Sequence, residues 1–181
     1  MQTGSVRYLY AELFGMVPEG PDCIDSTAHP FRRTVRNEAD MTQANDLIGT
    51  WRMISWTRQA LKTGQVSDAM GPNPIGYIAY HADGRMMATV FRNDRLSARD
   101  GVWTSDQKAQ LFDTMLAYVA RYSIEDDQVI HHVERAWNPN WQIDLSRPFS
   151  LRGETLTISG APGIDPSTGE EVIYRMEFIK L

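Results

Sequence analysis

The sequence predicts an all-β protein, a closed barrel of about eight antiparallel strands with one helix inserted between the third strand and the fourth. Three observations carry the prediction. A glycine, one residue and a tryptophan (Gly49-Thr50-Trp51) open the first strand-like stretch. From Leu47 onward, short stretches of alternating apolar and polar residues recur, separated by Gly, Pro, Asn and Asp. One stretch alone in this region changes to helical spacing.

The first strand is expected over residues 49–57. Gly49 lets the chain bend where a Cβ would clash. Trp51 then points inward and plugs one end of the sheet with a large apolar ring. Gly71-Pro72-Asn73-Pro74 reads as a stiff loop before a second strand, 75–81. Asp83-Gly84 is a tight turn, because both residues tolerate positive φ, and leads to a third strand, 85–91. Thr104 and Gln107 have the spacing of a capping box. Ala109, Phe112 and Leu116, and likewise Leu111, Met115 and Val119, recur at helical spacing, so a helix is expected over 105–117. Strands resume at 118–124 and 129–137 around a turn at 125–128. After the Asn138-Pro139-Asn140 turn comes a strand at 141–151, with Pro148 marking an edge or a bulge. Arg152-Gly153-Glu154 turns into 155–159, a loop spans 160–169, and the last strand is 171–179. A barrel of this size holds side chains or one small ligand, and closing it removes the sheet edges that invite aggregation.

The 181 residues, 42% apolar and 23% charged, suit one globular domain. Residues 1–40 read as a poorly structured extension, because Pro18, Gly20, Pro21 and Pro30 break any period; a short helix near 8–14 is the one element expected there. Residues 41–181 form the barrel domain, and Met41 is one expectation for the biological start. The net charge of −5 and the lack of any Lys/Arg run argue against a nucleic-acid partner. Cys23 is the single cysteine, which excludes an internal disulfide and a cysteine-rich zinc site. No apolar run approaches the roughly 20 residues that cross a membrane. The stretch 8–17 is interrupted by Glu12 and lacks the flanks of a secretory signal. The expectation is therefore a cytoplasmic protein with no membrane partner, its oligomeric state left open. Phosphate-binding glycine loops, G-x-G-x-x-G and G-x-S-x-G do not occur, so no cofactor is expected.

Asp46-Leu47-Ile48-Gly49-Thr50-Trp51, Gly71-Pro72-Asn73-Pro74-Ile75-Gly76-Tyr77, Asp83-Gly84-Arg85-Met86, Ala120-Arg121-Tyr122, His131-His132-Val133-Glu134 and Pro139-Asn140-Trp141 together resemble the lipocalin-like domain family of bacteria and fungi, within the calycin barrels. The resemblance covers residues 46–181. It implies an up-and-down barrel with an internal cavity and says little about chemistry, since such barrels include carriers and enzymes. Arg135 departs from the pattern, where an apolar residue is expected after Glu134. The resemblance also implies a late-strand arginine packed over the opening tryptophan, and Arg175 is the candidate for Trp51.

Turn length and alternation set the faces. If Glu125 pairs with Gln128, then Ile124 meets Val129, Tyr122 meets His131, Ala120 meets Val133 and Tyr118 meets Arg135. That face is the more apolar and is assigned inward; Arg121, His132 and Glu134 then lie outside. A one-residue slip would exchange the two sets. On the earlier hairpin Ile78, Tyr80, Met86, Ala88 and Val90 point inward, with Arg92 near a mouth. Phe149, Leu151, Leu156 and Ile158 are expected inward, and Tyr174, Met176 and Phe178 share a face.

The expected function is binding of a small, largely apolar molecule by Ile78, Tyr80, Met86, Val90, Arg92, Tyr118, Tyr122, His131, Val133 and Arg135. Tyr80, Tyr122 and His131 would orient the ligand, and Arg92 or Arg135 would pair with an anionic group. The alternative is an isomerase, cyclase or dehydratase in which Tyr122 and His131 form an acid–base pair. A buried histidine satisfied by a neighbour is the plainer reading of His131, and a filled-core interaction module is a third reading of the whole. A metal would have to use His132 and Glu134 with His81, and none is expected. The helix reads as a lid or a packing element, and Trp137 and Trp141 as lining a mouth or finishing the core.

Overall fold

The computed structural model describes residues 45–97, 101–165 and 168–181. The extension at 1–40, its helix near 8–14 and the start at Met41 lie outside the described residues. The strands are β1 (Gly49–Ala60), β2 (Val66–Asp68), β3 (Ile75–Tyr80), β4 (Arg85–Phe91), β5 (Met115–Glu125), β6 (Gln128–Ala136), β7 (Asp144–Arg152), β8 (Thr155–Ser159), β9 (Gly163–Ile164) and β10 (Glu171–Lys180), and the helix α1 (Ser105–Asp113) lies between β4 and β5. Neighbours pair in the order β2-β1-β3-β4-β5-β6-β7-β8-β10-β9, all antiparallel. The β1–β10 pairing closes the ring, so eight strands form the barrel while β2 and β9 are short additions at its rim. Among the described residues no helix is long and apolar enough to cross a membrane.

The opening motif behaves as its residue types require. Gly49 has φ +138°, and a Cβ there would lie 3.1 Å from Lys180 Cε. Trp51 is fully buried, and its indole N–H donates to the Leu47 carbonyl at 2.8 Å. The cation over its ring is Lys180 Nζ, 5.0 Å from the centroid, and not Arg175. Register decides this: Trp51 faces Lys180, whereas Arg175 faces Thr57 and pairs outside with Glu177. A bulge at Met53/Ser55 turns Ile54 outward and shifts the inward set from Trp51 and Met53 to Trp56 and Ala60.

The helix is shorter than the spacing predicts. It starts on the expected Thr104–Gln107 capping box but ends at Asp113, and residues 115–117 are strand. Leu116, Tyr118 and Ala120 also alternate, and Phe91, Val90 and Thr89 of β4 need partners, which Met115, Leu116 and Ala117 supply. None of the helix residues is buried, and Phe112 packs on Trp137 with centroids 6.0 Å apart. Trp141 is also not in a strand: it closes a 3-10 turn, Pro139–Trp141, and is buried.

The core fills the barrel from the inward faces that alternation predicts. Ile78, Tyr80, Met86, Ala88, Val90, Tyr118, Ala120, Val129, Val133, Leu156, Ile158, Tyr174 and Phe178 are all buried in it, and Leu116, expected in the helix, joins them from β5. At one rim, Asp165 is buried and bonded to Arg58 Nη1 and to the Tyr174 hydroxyl, which ties the loop after β9 to β1 and β10.

Candidate functional site

The candidate site is set by the β5–β6 hairpin. The turn Asp126-Asp127, with Asp126 at φ +54°, pairs Glu125 with Gln128, Tyr122 with His131 and Ala120 with Val133. His131 therefore points inward and is 1% exposed. Its two ring nitrogens are both engaged. Nε2 lies 2.8 Å from the Tyr80 hydroxyl of β3, and Nδ1 lies 2.9 Å from the Tyr118 hydroxyl of β5. From β7, Arg147 enters the same interior and is 4% exposed. It faces Val129 across the β6–β7 pair, next to the pair His131 and Leu145.

Burial governs the electrostatics. It pushes the His131 imidazole down to about 3, with the Arg147 and His132 charges adding to the effect. It raises the Tyr118 phenol to about 12 against the pull of Arg147, and lifts Tyr80 well above its ordinary value. It also lowers Arg147, an effect opposed by Tyr118 and Tyr80; a guanidinium nonetheless keeps its proton at neutral pH. The cluster is thus a neutral imidazole between two neutral phenols, with a cation beside them.

These groups border an internal cavity lined by Met53, Trp56, Tyr77, Ile78, Ala88, Val90, Leu116, Tyr118, His131, Trp141, Arg147, Ile158, Met176 and Phe178. It holds about 390 Å³ of atom-free space counted out to its mouth, most of it a thin layer against the walls. As it stands the cavity has room for about two water molecules.

Four of the expected ligand contacts, Ile78, Val90, Tyr118 and His131, are on this wall. Tyr80, Met86 and Val133 are buried behind it. Three lie elsewhere. Tyr122 is half-buried towards the β3–β4 turn, where its hydroxyl donates to the His81 carbonyl at 3.1 Å. It stacks edge-on against Tyr80 at 5.0 Å, so the expected Tyr122–His131 acid–base pair is replaced by Tyr80 and Tyr118 on the imidazole. Arg135 is outside: a bulge at Val119/Ala120 pairs it with Val119 and sets Tyr118 against Ala136. Its guanidinium bonds the Glu134 carbonyl at 2.6 Å. Arg92 lies past the end of β4, paired with Asp94 at 2.6 Å and packed over Gly71.

Arg147 was not among the expected contacts, although a signal for it exists. It shares period-two spacing with Phe149 and Leu151, both read as inward. The metal alternative finds no support in the geometry. His132 binds Asp144 at 3.0 Å and Ser123 at 3.0 Å, Glu134 pairs with Arg121, and no three potential ligands converge among the described residues.

A closed eight-stranded antiparallel barrel, opened by a glycine and a buried tryptophan and holding a small polar cluster in an apolar interior, is the architecture of calycin-type proteins. The family model described as lipocalin-like domain matches residues 48–171, well over half of the chain, and the chain belongs to that family. No curated protein matches it.

Proposed function

We propose that the barrel binds a small, largely apolar molecule in its interior. The observation that carries this reading is the make-up of the cavity wall: twelve of its fourteen residues are aliphatic, thioether or aromatic, and the titratable side chains among the fourteen are Tyr77, Tyr118, His131 and Arg147. Ligand sites have this composition, mostly apolar with few polar groups that fix orientation. The space is narrow, and Met53 and Met176 are the wall residues whose unbranched thioethers repack most readily around a guest.

The acid–base alternative now has to run through Tyr118 and His131. Burial holds His131 at about 3 and Tyr118 at about 12, both far from the neutral range where proton transfer is most efficient. This favours binding over turnover. Trp56 and Trp141 line the cavity, so a guest should quench tryptophan fluorescence saturably. The full-length protein titrated with cinnamyl alcohol, an uncharged compound of suitable size, is expected to show this. Ala88→Phe, which places a phenyl ring in the cavity, should abolish it. Undiminished saturable quenching in Ala88→Phe would defeat the assignment to this cavity.

A further inference from the structure

The hydrogen count of the buried trio leads further. A neutral imidazole has one N–H and one lone-pair nitrogen, and each phenol has one O–H. The two bonds to His131 therefore use two of the three polar hydrogens on Tyr80, His131 and Tyr118. The phenol that accepts from the imidazole keeps its own O–H to donate elsewhere. Tyr118 lines the cavity, and Tyr80 lies behind it. An acceptor inside the cavity thus selects one arrangement: Tyr80 donates to Nε2, the Nδ1–H donates to Tyr118, and Tyr118 donates into the cavity. Each bond in such a chain polarises the next. Arg147 contributes a positive charge and a planar fork of donors to the same wall.

We infer that the cavity selects ligands bearing an anionic oxygen on a small apolar body, the oxygen accepting from the Tyr118 hydroxyl and the Arg147 guanidinium. This rests on the binding function proposed above. The oxygen belongs to a carboxylate or to an acidic phenol or enol, which present the same chemistry to these donors. His131 and Tyr80 act through Tyr118 and are positioning residues. The apolar body lies against Ile78, Val90 and Phe178.

The test is calorimetric titration of the full chain with matched pairs: cinnamate against cinnamamide, and 4-nitrophenolate against 4-nitroanisole. At least one anion is expected to bind about tenfold or more tightly than its neutral partner, as charge-assisted bonds in a dry site require. Preference in the first pair assigns a carboxylate, and preference in the second a phenolate. Tyr118→Phe and the similarly sized Arg147→Met should bring the ratio towards one, and Tyr80→Phe should lower it by less. Equal binding of anion and neutral partner overturns the inference but leaves the apolar cavity standing. No binding by any of the four compounds overturns both. The comparison in the unaltered protein needs no variant to fold.

Discussion

Replacing His131 by asparagine tests how deeply the polar cluster is buried. In the folded protein the imidazole titrates at about 3, because burial and the Arg147 charge oppose its protonation. In the unfolded chain it titrates near 6.5. The groups acting on it are Tyr80, Tyr118, Arg147 and His132. As pH falls, the unfolded chain takes up this proton first, so acid favours unfolding. The contribution is fully present above about pH 6.5 and is lost as pH falls towards about 3. Each pH unit inside that window costs about 1.4 kcal/mol, or about 3 kcal/mol between pH 8 and pH 4.5. Asparagine has no proton to gain over this range. His131→Asn itself should cost about 2 kcal/mol at pH 8, since it disturbs two buried hydrogen bonds. Its stability should then fall about 3 kcal/mol less than that of the unaltered protein on going to pH 4.5. Urea unfolding of both proteins at the two pH values measures the difference, and carboxylate titrations common to both cancel. Parallel losses in the two proteins would refute the burial argument.

Three other expectations concern the frame around the cavity. In Gly76→Ala the new Cβ would lie 2.6 Å from the Thr89 carbonyl oxygen and 2.9 Å from Val90 Cα, both backbone. The substitution should cost about 3 kcal/mol or prevent folding, read as a fall in the urea midpoint, and a neutral result would contradict the β3–β4 spacing. Asp165→Asn removes the carboxylate that binds Arg58 and Tyr174. It should lower stability by about 2–3 kcal/mol in the same assay. Tyr122→Phe removes a partly exposed bond to the His81 carbonyl, so it should cost less than about 1 kcal/mol and leave the affinities for the anionic test compounds unchanged. A changed affinity would return Tyr122 to the binding site.

Alternation carried most of the barrel because each strand has one dry face. Ile78 and Tyr80, and Met86, Ala88 and Val90, share one face by period two, and turning that face outward would bury Arg85 and Thr89 instead. The β5–β6 register followed from a two-residue turn, and this is what placed His131 inside. The bulge at Val119/Ala120 left no such mark: its extra residue, Glu134, and the next residue, Arg135, are both polar, so the insertion does not disturb the apolar pattern. Residues 115–117 satisfy helical and strand periods alike, and pairing with β4 decides between them. Lys180 over Trp51 depends on a register between strands far apart in sequence, which no local pattern encodes. Arg147 was legible by spacing, but buried charge is rare enough for chemistry to argue against what the period indicated.

The ring is closed by β10, whose contacts with β1 span the chain; Ser55 Oγ, for example, bonds a Glu177 carboxylate oxygen 122 positions away. During synthesis, β1 and β8 must wait with bare flanks until Glu171–Lys180 leaves the ribosome, because both pair with that one segment. Cotranslational folding can then yield only an open, unzipped sheet. The last ten-residue strand acts as the fastener, and ribosome stalling shortly before it emerges should leave a nascent chain prone to stick to its neighbours.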